Sequence, residues 1–330
     1  MTQTADARLR LVFMGSDAIA LPMLQNLREH PPIPIEWCGI FTQPDRPTGR
    51  GMKLRANAIK QWALEHSIPV RQPEPCGEAD SEWLRNQKVD LVLVMAYGQI
   101  LRKHLIGTPP LGTLNLHASL LPELRGASPI HTAIATGRSQ TGVSLMRIVP
   151  KLDAGPVADA ERVDIPADMQ APALIQSMAA ACIPLMRRTL PKLAAGELNF
   201  KEQDPDQVST CRIIHKSDAD LDFNRPATEL HNRIRAFQPW PGAALHLPDA
   251  VLKIGRSRVV ESPSEPIQPG TITFGENGQP RIQCANGSLE LLSLQRPGGR
   301  MLPTSEFLRG FELKAGTVAK SMPMQALEYR

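Results

Sequence analysis

The 330-residue sequence holds only five cysteines, Cys38, Cys76, Cys182, Cys211 and Cys284, and no CxxC pair among them. An odd, scattered set argues against a disulfide framework and against a structural zinc site. Aromatic residues are scarce at 4%, so the core must come from Leu, Ile, Val, Met and Ala. Apolar runs such as Leu91 to Tyr97 fall far short of the roughly 20 residues a membrane-spanning helix needs. Met1 to Arg10 mixes Asp6, Arg8 and Arg10 with polar residues and lacks the apolar centre of a secretory signal. Large net charge is also missing: 37 basic against 33 acidic residues give +4, which permits an anionic partner without requiring one. The class left standing is a reduced, cytoplasmic enzyme or binding protein without a membrane role.

Two phosphate-binding signatures are absent as well. Gly15 is followed by Ser16, Asp17, Ala18, Ile19 and Ala20, so the G-x-G-x-x-G of a dinucleotide site does not occur there. Gly49-Arg50-Gly51-Met52-Lys53 lacks the spacing of a P-loop. No nicotinamide nucleotide is expected, and the histidines show no metal-ligand spacing, so no metal is expected either.

What is present is an alternation of apolar strands and helices. Strands are predicted at Leu9 to Met14, Pro34 to Thr42, Ile68 to Val70, Asp90 to Met95, Gly112 to His117 and Val143 to Val149. Helices are predicted at Ala20 to Glu29, Ala58 to His66, Ala79 to Asn86 and Ser128 to Ala135. Such a pattern predicts a doubly wound, parallel-sheet α/β domain. Ala171 to Ala195 reads as a long covering helix disturbed at Pro184, with Met178 and Met186 as core packing. A polar linker follows. Beyond it, short strand-like runs between Gly and Pro predict a small, OB-like antiparallel β-barrel. The expected division is residues 1–196, a linker at 197–211, and 212–330.

The stretch richest in chemistry is Asn115-Leu116-His117-Ala118-Ser119-Leu120-Leu121-Pro122, with Arg125-Gly126 and later Leu152-Asp153-Ala154-Gly155. On a strand, Asn115 and His117 project from one face. They fall at the carboxyl end of a predicted parallel strand, where open α/β sheets place their crevices. An amide and an imidazole side by side can cradle a developing oxyanion. Asp153, on a turn after the next strand, can bring a carboxylate into the same crevice. Taken alone, each element has a plain reading too: N-x-H pairs arise by coincidence, and Asp-Ala-Gly is a common turn.

Together, these residues resemble the formyltransferase family that uses 10-formyltetrahydrofolate, whose signature is N-x-H-x-S-L-L-P-x-x-R-G followed by L-D-x-G. Other blocks resemble its methionyl-tRNA formyltransferase branch. These are Phe41-Thr42-Gln43-Pro44-Asp45-Arg46-Pro47 with Gly49-Arg50-Gly51, Val94-Met95-Ala96-Tyr97-Gly98, Ile234 to Gly242, and Phe307-Leu308-Arg309-Gly310. The first strand departs from the family's G-T-P-x-F-A, with Ser16-Asp17-Ala18-Ile19 after Gly15. Ala118 stands where Gly is common, and Leu221-Asp222-Phe223 where I-D-W is usual.

The resemblance implies formyl transfer to the amino group of methionyl initiator tRNA during translation initiation, by a monomer. It implies catalytic roles for Asn115, His117 and Asp153. Folate contacts are implied at Ser119, Leu120, Leu121 and Pro122 and at Met95 and Tyr97. Contacts to tRNA are implied at Arg46, Arg50 and Lys53 of the basic loop, which carries five cations between Pro44 and Lys60 against Asp45 alone. Residues 212–330 hold 15 basic against 12 acidic residues, a balance that suits a backbone-tracking RNA platform and plain solubility equally. The alternatives are a formyltransferase acting on a sugar-nucleotide or other small amine, a hydrolase of formyl-folate, and a non-catalytic RNA-binding protein.

Overall fold

A computed structural model describes residues 8–48 and 52–330. The first unit comprises the stretch ending at Arg125 together with Thr141–Val163 and Ile175–Val208; the second comprises Gly126–Gln140, Asp164–Leu174 and Ser209–Arg330.

The first unit is built on a seven-stranded sheet. Its strands are β1 (Leu9–Gly15), β2 (Ile35–Phe41), β5 (Val70–Arg71), β6 (Leu91–Met95), β7 (Thr113–His117), β8 (Gln140–Arg147) and β9 (Val157–Asp164), in the order β9-β8-β7-β6-β1-β2-β5. A separate hairpin pairs β3 (Arg46–Thr48) with β4 (Lys53–Arg55). The centre explains the order. Every residue of β6, LVLVM, is buried, as are Leu11, Val12, Phe13 and Met14 of β1. Strands apolar on both faces are stable only with cover on both, and each fully buried Leu or Phe contributes about 1.5–3 kcal/mol.

From β5 to β7 neighbouring strands run parallel, as expected. At the next pair the expectation fails: β8 is antiparallel to β7. A parallel return needs a crossover helix laid on the sheet. The helix in this connection, Pro129–Ala135, instead falls in the second unit, packed on the helix Ala227–Ala236. The strand β9 carries the polar sequence VADAERVD, whose alternation is too weak to read from the sequence. The long helix spans Ala171–Ala194 without interruption at Pro184 or Pro191, against the disturbance expected. Its apolar face, including fully buried Met178, Leu185 and Met186, keeps it packed despite the missing proline N–H groups.

The second unit is β-rich. Strands β10 (Ala243–His246), β11 (Val251–Val260), β12 (Ile272–Phe274), β13 (Pro280–Gln283), β14 (Ser288–Gln295) and β15 (Leu302–Pro303) form one antiparallel sheet in the order β10-β11-β14-β13-β12, with β15 beside β14. Single bridges join His246 to Lys320 and Thr271 to Val318, so one late segment is hydrogen-bonded at both margins of the sheet. The core under it includes Phe223, Leu230, Ile234, Leu252, Ile254 and Leu291. Among the described residues no helix is long and apolar enough to cross a membrane.

Candidate active site

The site is assembled where β7 ends. Asn115 and His117 share a face of β7, opposite Met146 and Ser144 of β8 respectively. Beyond His117 the chain enters a tight loop, Ala118 to Leu124, with a cis Leu121–Pro122 bond and a left-handed Leu124 at φ 53.

The buried His117 ring is held from both sides. Its Nε2 lies 3.0 Å from the Leu124 carbonyl oxygen. A carbonyl only accepts, so Nε2 carries the hydrogen. That leaves Nδ1 as the nitrogen whose protonation can change. Nδ1 faces the carboxylate of Asp153, with 3.6 Å to Oδ2, within ion-pair range but long for a direct hydrogen bond.

Asp153 reaches this position from a turn after β8. Its backbone is left-handed at φ 48, a conformation that costs a non-glycine residue about 1–3 kcal/mol and persists only where surroundings impose it. Gly155 supplies one such constraint: a Cβ there would lie 1.9 Å from the backbone oxygen of Arg147. Gln203 supplies another, donating from Nε2 to the carbonyls of Asp153 (2.8 Å) and Gly155 (2.7 Å). The Oε1 of Gln203 accepts from Nε (3.0 Å) and Nη2 (2.8 Å) of buried Arg125. Burial pulls the Arg125 guanidinium below its usual pKa, with the Asp153 charge opposing that shift.

The loop Ser119 to Pro122 is fixed by Ser144, a fully buried hydroxyl on β8. Ser144 Oγ donates to the Ser119 carbonyl at 2.7 Å and accepts from the Leu121 N–H at 3.0 Å. Ser119 spends its own hydroxyl on the Glu123 carbonyl at 2.6 Å. Gly142 keeps space for Leu120, whose Cδ2 lies 2.5 Å from where a Cβ would stand. Leu120, Leu121 and Pro122 remain half-buried. Among the described residues the Asn115 amide has no side-chain hydrogen bond. An unspent amide beside a fixed imidazole and a carboxylate can stabilise an oxyanion and move a proton.

Met95 ends the neighbouring strand and Tyr97 follows two residues later, but their side chains turn into the core. The Cys182 thiol, pushed up to about 12 by burial, lies 3.9 Å from Met95 Sδ. The Tyr97 hydroxyl lies 3.1 Å from Cys76 Sγ, and burial raises its pKa. What Tyr97 offers outward is backbone: its carbonyl accepts from Ser16 Oγ (3.2 Å) and Gln43 Nε2 (3.1 Å). The unusual residues after β1 therefore have a structural part. Ser16 ties the ends of β1, β2 and β6, and Asp17 caps the following turn through the Ile19 N–H at 2.9 Å.

Of the basic-loop residues, Arg46 lies exposed on β3 in an ion pair with Glu74 at 3.2 Å, and Lys53 lies exposed on β4. Arg50 lies outside the described residues. Lys60, one of the five cations, is committed to Asp45 at 2.7 Å. In the second unit a groove of about 700 Å³ is lined by Arg138, His231, Arg235, Arg256 and Arg258 among others, and does not include the site residues.

Ser144, the Leu124 carbonyl and Gln203 hold the site residues without having been expected from the sequence. A serine inside a strand and a glutamine in a polar connector carry no local signal of a role.

Residues 9–189 match the formyl transferase family and residues 213–312 match the formyl transferase C-terminal domain. The methionyl-tRNA formyltransferase of Methylococcus capsulatus is 40% identical over 308 residues, covering 92% of this chain and 98% of the relative. That of Burkholderia ambifaria is 39% identical over 319 residues, covering 93% and 96%. Among solved structures, an N-formyltransferase from Helicobacter canadensis in complex with folinic acid and dTDP-3-aminofucose aligns with a TM-score of 0.64 at 17% identity, covering 88% of this chain and all of that one. At such identity the likeness is one of fold. With both domains matched in order and relatives aligned over nine-tenths of its length, the chain belongs to the formyl transferase family, in its methionyl-tRNA formyltransferase branch.

Proposed function

We propose that this protein transfers the formyl group of 10-formyltetrahydrofolate to the α-amino group of methionyl initiator tRNA, working as a cytoplasmic monomer. In this reading residues 1–196 form the catalytic domain, 197–211 a linker and 212–330 a tRNA-binding domain. The observation that carries it is the grouping of an unspent Asn115 amide with His117 and Asp153, the last two 3.6 Å apart.

An α-ammonium must lose a proton before it can attack. Asp153 accepts that proton, directly or through one water. Attack at the formyl carbon places negative charge on its oxygen, and Asn115 donates to it; one such donor is worth roughly 10²–10³ in rate. The Leu124 carbonyl fixes the hydrogen on Nε2 of His117, so the mobile proton resides at Nδ1. Asp153 sheds its proton to solvent, and the attacking nitrogen's second proton then passes to Nδ1 of His117, whose imidazolium the Asp153 carboxylate stabilises; Nδ1–H delivers that proton to the departing folate nitrogen as its bond to the formyl carbon breaks. Positioned acid–base action of this kind supplies about 10²–10⁴. Leu120, Leu121 and Pro122 offer half-buried apolar surface for the donor's pteridine, on a loop held by Ser144. For Met95 and Tyr97 the contact is through backbone, because both side chains are core. Arg46, Arg50 and Lys53 meet tRNA phosphates, with the basic groove of the second unit as a further platform.

The test supplies labelled 10-formyltetrahydrofolate with either methionyl initiator tRNA or a sugar-nucleotide amine. Label on the tRNA is expected. Label on the sugar alone would move the assignment to a small-amine formyltransferase. Release of formate without an acceptor would indicate a hydrolase, and tRNA binding without transfer a non-catalytic RNA-binding protein.

A further inference from the structure

We propose that Gln203 is the positioning residue of the catalytic pair, setting where the Asp153 carboxylate stands relative to His117. The inference rests on the catalytic reading above and adds to it a residue from the polar connector, far from either motif.

The contacts close a ring. His117 Nε2–H donates to Leu124 O, and Leu124 is peptide-bonded to Arg125. Arg125 donates twice to Gln203 Oε1, and Gln203 Nε2 donates to Asp153 O and Gly155 O. The Asp153 carboxylate then faces His117 Nδ1. Only an amide satisfies both sides: the guanidinium is all donor and the two carbonyls are all acceptor. A carboxylate could serve Arg125 but not the carbonyls, and an apolar side chain could serve neither. The same chemistry fixes which end of the amide points where, since the opposite flip would set donor against donor.

The ring bears on a turn that needs holding. Asp153 is left-handed, and its turn is pressed against Arg147 O at Gly155. The two Gln203 bonds fall on either side of Ala154, so they grip the peptide segment that sets the direction of the Asp153 side chain. Arg125 in turn is buried and adjacent to the residue that orients the imidazole. One glutamine therefore links the backbone carrying the base to the backbone that holds the imidazole. Its loss lets the two drift apart without removing a group that touches substrate.

The test compares Gln203→Ala, Asp153→Ala and the double variant in the full-length protein, assayed with 10-formyltetrahydrofolate and methionyl initiator tRNA. Gln203→Ala should lower kcat by about 10- to 100-fold, as a misplacement near 1 Å does, with KM for both substrates within about threefold. Because Gln203 acts through Asp153, the double variant should be no slower than Asp153→Ala alone. A general loss of structure would not produce that equality. Gln203→Glu keeps an acceptor for Arg125 and deletes both donors, so it should show the same kcat loss even where Gln203→Ala folds poorly. Wild-type kcat in Gln203→Glu would overturn the proposal, and so would a double variant slowed by the product of the two single effects. Full activity of Asp153→Ala would instead overturn the catalytic reading itself, and the proposal with it.

Discussion

Nδ1 of His117 and Oδ2 of Asp153 stand 3.6 Å apart although 36 positions separate them in the chain. One lies at the end of a buried strand and the other on a turn that its own backbone conformation disfavours. Neither position depends on the other side chain. His117 is oriented by Leu124, and the Asp153 turn by Gly155 and Gln203. The pair is thus held by the Leu124 carbonyl, the close approach at Gly155 and the Gln203 side-chain amide.

Asp153→Asn keeps the shape and removes the base. Single-turnover transfer should fall by about 10²–10⁴, while filter binding of initiator tRNA stays within twofold of wild type. Transfer within threefold of wild type would show that the carboxylate takes no part in the chemistry.

Gly155→Ala places a methyl where only 1.9 Å is available to the Arg147 carbonyl. The turn must shift, and with it Asp153. The expected result is a kcat loss near 10² with a modest drop in Tm. Equal kcat at lowered Tm would separate the turn from the catalytic pair.

Ser144→Ala removes both a donor to Ser119 O and an acceptor for Leu121 N–H at a fully buried point. Leaving buried backbone groups unpaired costs about 1–3 kcal/mol. Because the loosened loop is the one assigned to folate, the KM for the formyl donor should rise several-fold while the KM for tRNA does not. Steady-state kinetics with each substrate varied in turn decide it.

Acid should weaken the second unit through Asp218. Burial pushes this carboxyl up, but hydrogen bonds from Arg212 and the His215 N–H, with the charges of Arg212 and Arg233, bring it below the usual range. A depressed folded-state pKa adds stability that is full above the unfolded value, near 3.9. That stability is lost as pH falls through the folded value. Asp218→Asn should therefore cost about 3 kcal/mol at pH 7, since buried Arg233 loses its counter-charge. The gap from wild type should narrow below about pH 4. Urea unfolding at pH 7 and pH 3 measures both.

Removing Arg46 and Lys53 together should flatten the dependence of log Kd on log salt for tRNA, by about 0.7–0.9 for each phosphate that is no longer neutralised. An unchanged slope would place the electrostatic footprint elsewhere.

Much of this protein follows from local pattern. Short unbroken apolar stretches rich in β-branched residues, such as LVLVM, read as buried strands, so a parallel core was legible from residues 9 to 117, as was the face shared by Asn115 and His117. A string of short strands after residue 240 declared a β-rich second unit. These are properties of adjacent residues, set by the side-chain periods of strand and helix. The reversed direction of β8, the uninterrupted long helix and the inward turn of Met95 and Tyr97 depend instead on what packs against each element. So does the approach of Asp153 to His117, and above all the part taken by Gln203 and Ser144. A hydrogen bond between residues far apart in the chain leaves no periodicity behind, and only folding brings donor and acceptor within reach of each other.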